Sequence, residues 1–98
     1  MKAYLIDPEA RSIEPIELDD LEQLPTLIGY PTLESDSLGD GNRLYFDEEC
    51  FIRGASGRFQ IDKLIPVAGK GVVLGEQEGE AVDVQLTLEA LQRRTVFQ

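Results

Sequence analysis

The sequence predicts a small α+β domain: a mainly antiparallel sheet of about five or six strands with two short helices. Three observations predict it. Phe59 to Glu76 holds the densest run of β-formers, with glycines at 69, 71 and 75. Gly39-Asp40-Gly41-Asn42 separates two alternating stretches and is the strongest hairpin signal in the chain. Helical spacing and capping residues occur in only two places, near Asp20–Ile28 and at Leu88–Arg94.

Taken in order, Lys2–Ile6 is a short apolar strand stopped by Asp7-Pro8, and Ile13–Leu18 is its hairpin partner. Pro15 places that second strand at an edge or a bulge. A helix over Asp20–Ile28 follows, with Asp19 as cap and Glu22 at capping-box spacing. Leu21, Leu24, Leu27 and Ile28 form its apolar face. Pro25 predicts a kink or a break into two short turns, and Gly29 ends the helix. Thr32–Leu38 and Arg43–Asp47 flank the Gly39–Asn42 turn. Phe51-Ile52 is expected to pack inward, and the loop Gly54-Ala55-Ser56-Gly57 to be the most mobile segment.

Phe59–Glu76 reads as two strands meeting at Ala68-Gly69-Lys70-Gly71, a hairpin at the centre of the sheet. Glu76–Glu80 is an acidic turn, and Val82 with Val84 a short extended piece. Thr87 caps the second helix, Leu88 and Leu91 share its apolar face, and Glu89 and Arg93-Arg94 suit its dipole. The two helices are expected to cover one face of the sheet. Thr95-Val96-Phe97 reads as a last strand packed against it.

The totals bound the function. A chain of 98 residues is one domain, residues 1–98, with enough length for a core of its own. It has no apolar run of membrane-spanning length, and the stretch before Asp7-Pro8 is too short for a secretory leader. One cysteine, Cys50, excludes an intrachain disulfide, so a cytoplasmic location is expected. The net charge of −10 lies wholly in residues 1–50, which carry 13 acids and 3 bases; residues 51–98 carry 6 of each. Such a surface repels phosphate backbones and anionic lipid, so neither nucleic acid nor membrane is an expected partner. The simplest reading of this charge is solubility; the alternatives are a face that meets a basic protein partner or mimics a nucleic acid, and self-association.

Histidine is absent, which removes histidine-based nucleophile pairs, histidine metal sites and the usual general base. No catalytic residue, metal site or cofactor is expected. Gly69-Lys70-Gly71 matches neither the phosphate loop nor the dinucleotide fingerprint, because Gly71 follows the lysine and strand residues follow the glycines. A looser nest of backbone N–H groups remains an anion-binding alternative, with Arg58, Lys63, Gly69, Lys70 and Gly71 as its residues. The acids between Asp36 and Asp47 do not follow the calcium-loop pattern. Cys50, behind three acids, reads as a small buried apolar residue.

From Pro66 onward, P-V-A-G-K-G-V-V-L-G, an acidic turn and L-T-L-E-A-L-Q-R-R-T-V-F resemble a family of small uncharacterised bacteriophage and bacterial proteins, a domain of unknown function. Leu5-Ile6-Asp7-Pro8 and Asp40–Glu49 are similar to its first strand and its middle. The resemblance implies a bacterial cytoplasm or an infected cell, and carries no catalytic residues with it. Three functions are therefore weighed. The first is a non-enzymatic interaction protein acting through an acidic surface (Asp36, Asp40, Asp47, Glu48, Glu49) or by self-association. The second is a binder of a small anion, such as a nucleotide, at the glycine loop. The third is a carboxylate-dependent hydrolase. A phage inhibitor of host defence fits either of the first two.

Overall fold

Asp7-Pro8 and Gly29 stop their elements where the sequence places the stops, and the chain up to Gly29 holds β1 (Lys2–Asp7), β2 (Ser12–Glu17) and α1 (Leu24–Ile28). The computed structural model describes residues 1–98. After α1 come β3 (Leu33–Ser37), β4 (Asn42–Asp47), β5 (Arg58–Ile61), β6 (Val67–Ala68), β7 (Gly71–Gln77), β8 (Glu80–Val82), α2 (Leu88–Arg94) and β9 (Thr95–Phe97). The main sheet runs β2-β1-β7-β4-β3, with β8 paired to the far end of β7. A second sheet runs β6-β5-β9. Every pairing is antiparallel, and the fold is α+β, mainly β.

β7 is the centre of the main sheet, as its composition requires. Val72, Val73 and Leu74 are fully buried and, by strand alternation, face both ways. Val72 and Leu74 pack with Ala3, Leu18, Leu24 and Ile28. Val73 packs on the opposite side with Ile6, Leu44, Phe59 and Leu91. The helices therefore cover opposite faces of the sheet, not one face as expected. Strand alternation splits each strand's apolar residues into two sets, and each set needs its own cover.

The hairpin expected at Ala68–Gly71 does not form. β5 pairs with β6 and β9, whereas both edges of β7 are taken by β1 and β4. The strand of Phe59 lies over the face of β7 instead of beside it. Gly71 makes this possible, because a Cβ there would stand 2.7 Å from Phe59 Cζ and 3.0 Å from Leu44 Cδ1. The glycine is a slot for an aromatic ring, and the turn role falls to Gly69, at φ 79°.

Three smaller corrections concern ends and turns. Asp20, not Asp19, caps the first helical segment, accepting the Glu22 N–H at 2.7 Å. That segment is a 3-10 turn (Leu21–Gln23) leading into α1, so Pro25 sits in the first turn of α1, where its missing N–H has no helical acceptor to lose. Phe51 and Ile52 do not pack inward; they are 51% and 78% exposed. A 3-10 turn at Cys50–Ile52 aims only Cys50 into the core. α2 follows expectation, with Thr87 Oγ1 accepting the Ala90 N–H at 3.1 Å. β9 also pairs with a sheet as expected, although Val96 faces solvent and only Phe97 reaches the core.

Candidate interaction surface

The acids that look alike in the sequence have different surroundings. Asp47, at the end of β4, is 2% exposed, so it is not partner-facing. It accepts hydrogen bonds from the Thr32 hydroxyl, from the Glu49 N–H at 3.2 Å and from Arg53 Nε at 3.0 Å. Burial pushes its carboxyl upward, but the bonds from Thr32, Arg53 and Glu49 outweigh that and hold it below the ordinary 3.8. Arg53 also binds Glu49 at 3.1 Å and lies 4.3 Å from the ring centroid of Tyr30. Asp40 is tied to Arg94 at 2.6 Å and accepts from the Asn42 amide at 2.9 Å. Partial burial pushes it up; Asn42 and Arg94 pull it below its ordinary value. These three acids, Asp40, Asp47 and Glu49, are paired with arginines of the same chain, and only Asp47 is buried.

Asp36 and Glu48 are not paired in this way. With Glu34 they line a groove of about 190 Å³ whose other walls are Phe46, Cys50, Phe51, Ile65, Pro66 and Val67. None of Glu34, Asp36 and Glu48 has a cationic partner. Strand alternation sets this up. In β3 the residues Glu34 and Asp36 stand opposite Phe46 and Leu44 of β4, on the face toward the second sheet. The 3-10 turn and the Ile65-Pro66 approach to β6 bring Phe51 and Ile65 alongside, exposed by 51% and 73%. The sequence leads us to expect Phe51 inward and gives no reading of Ile65. Their signal is an apolar residue inside a turn-rich stretch with no periodic partner.

The five residues of the anion-binding alternative do not converge. Gly69 and Lys70 border an open cleft of about 520 Å³, together with Arg53, Tyr30 and the Gly54–Gly57 loop. Arg58 lies over the Phe51 ring at 5.2 Å, Lys63 sits in the turn after β5, and Gly71 is sealed under Phe59. The Gly69 N–H already donates to the Gly57 carbonyl at 3.0 Å. Asp7 and Glu9 line the same cleft and oppose an anion there. Comparison of the chain with protein-family models, with curated proteins and with solved structures finds no match.

Proposed function

We propose that this chain is a non-enzymatic interaction protein that holds a basic segment of a partner protein in the groove beside β3. One observation carries this: three carboxylates without cationic partners rim exposed Phe51 and Ile65. Lysine and arginine match both parts of such a surface, since their stems are apolar and their heads cationic. Arg58 over Phe51 is an intramolecular example of that match. Acids at a rim also speed encounter with a basic partner. A cytoplasmic setting belongs to this proposal, in keeping with a buried, unpaired Cys50. No helix is long and apolar enough to cross a membrane.

The hydrolase alternative draws no support from the carboxyls. Asp40 and Asp47 are both displaced downward, the wrong direction for a general acid. Of its five residues the anion alternative keeps only Gly69 and Lys70, at a cleft that Arg53 also lines.

The test is fluorescence anisotropy with a labelled peptide that alternates threonine and arginine. Binding should weaken as salt rises and be lost in the Glu34→Lys, Asp36→Lys double variant, yet be unchanged by Lys70→Ala. Equal binding of the peptide by wild type and by the double variant would overturn the proposal, as would no binding at all.

A further inference from the structure

We propose that the groove works by strand addition: the partner segment pairs with the free edge of β3 and extends the main sheet by one strand. This rests on the interaction function above and adds the backbone geometry that recognition takes. β3 ends the path β2-β1-β7-β4-β3. The Leu38 N–H donates to Asn42 O at 2.9 Å, and the Glu48 N–H to Thr32 O at 2.6 Å. With Asp36 opposite Leu44 and Glu34 opposite Phe46, the alternation of an antiparallel ladder follows from those two bonds. Thr32, Glu34, Asp36 and Leu38 direct their backbone groups to β4. Leu33, Ser35 and Ser37 direct theirs outward. The Leu33 N–H turns back to Pro31 O at 3.0 Å. Left at the edge are the N–H groups of Ser35 and Ser37 and the carbonyls of Leu33, Ser35 and Ser37.

The opposite edge of the same sheet is closed. The Leu18 N–H donates to Met1 O at 2.8 Å, and Ile16 stands opposite Ala3. The same alternation makes Ile13, Pro15 and Glu17 the outward residues of β2. Pro15 sits in the middle of that edge and removes its central donor. β3 has no proline. One edge is blunted against pairing and the other is left open.

Charge selects the occupant. Two copies of this chain pairing β3 to β3 about Ser35, the register of greatest overlap, would set Glu34 directly across from Asp36, twice. Those are non-hydrogen-bonded positions, where side chains stand closest and like charges repel. A partner strand with basic residues two apart reverses the sign. Its two cations stand opposite Glu34 and Asp36. Their stems run over Phe46 and Phe51, and their heads reach toward Glu48. The residue between them and the one flanking the second cation carry the backbone bonds to Ser35 and Ser37, and their side chains project to the other face. The partner is thus an extended basic-x-basic segment.

The test uses the threonine–arginine peptide and amide hydrogen exchange of the full chain by NMR. On saturation, exchange at Ser35 and Ser37 should slow by about tenfold or more, since an exposed edge amide becomes a ladder amide. N-methylation of the peptide's threonines, which face the edge, should weaken binding by about tenfold or more, and N-methylation of its arginines should not. Ser35→Pro copies the Pro15 device and should weaken binding similarly; the N-methyl comparison holds even if that variant folds poorly. If the peptide binds through Glu34 and Asp36 but Ser35 and Ser37 stay unprotected and both N-methyl frames bind alike, strand addition is wrong while the groove stands. If no peptide binds, the groove itself is wrong. Concentration-dependent protection of Ser35 and Ser37 without peptide would make a second copy the occupant and overturn the basic segment.

Discussion

Gly71→Ala is the most informative single change in the core. Gly71 is not at positive φ, so alanine can adopt its backbone. In the absence of a clash, such a change stabilises by about 0.4–1 kcal/mol, because it narrows the unfolded ensemble. Here the new Cβ would meet Phe59 Cζ at 2.7 Å, Leu44 Cδ1 at 3.0 Å and Phe59 Cε1 at 3.3 Å. Phe59 is 0% and Leu44 1% exposed, so neither has open space to enter. Overpacking of this kind costs about 1–3 kcal/mol, which outweighs the gain. We expect a net loss of about 1–2 kcal/mol and a Tm lower by about 4–8 °C for each kcal/mol. Urea unfolding should show a lower midpoint at unchanged slope. Phe59→Leu removes the ring tip, so the double variant should lose less than the two single losses together. Gly71→Ala as stable as wild type, or strictly additive losses, would refute the packing of Phe59 on β7. Gly71 would then be an ordinary connection residue, open again to a role in a ligand loop.

Acid titration tests the Asp47 network. Its folded pKa lies below the unfolded one, so the stability it contributes is present above about pH 4 and is lost as pH falls through the folded value. Asp47→Asn should flatten the acid limb of the stability profile, with Asp40 supplying what remains; an unchanged limb would contradict the network. A chain ending at Arg94 loses the Phe59–Phe97 pairing, the Phe97 packing and the cover of the β5 edge. It should be destabilised by about 2–4 kcal/mol, and equal melting curves would show that β9 contributes nothing. Arg94 joins Asp40 and Asp62 at 2.6 Å each, but both carboxylates are about two-fifths exposed. Arg94→Gln should therefore cost only about 1 kcal/mol, shrinking as salt rises; a larger, salt-independent loss would mean the cluster is shielded from solvent.

Features that depend on a few neighbouring residues were legible in the sequence. Thr87 caps α2 because its hydroxyl reaches three residues on, and Gly29 ends α1 because it tolerates φ 101°. Gly39-Asp40-Gly41-Asn42 turns β3 into β4, with Gly39 and Gly41 both at positive φ. The fold class follows from these local elements and the β-rich run that became β7. Which strands pair was decided only by the tertiary structure. The stretches at β5 and β7 have similar propensity, and nothing local says that one lies over the other; that required the slot at Gly71 to meet the ring of Phe59. The candidate site is divided in the same way. That the first half of the chain is an acidic surface follows from counting residues. Which acids stay free does not, because Arg94 reaches Asp40 across 54 positions and Arg53 and Thr32 close on Asp47 only when β4 is folded beside them. Asp36 and Glu48 are left without cations, next to Phe51 and Ile65, by contacts between residues far apart in the chain, and such contacts leave no periodic trace in the sequence.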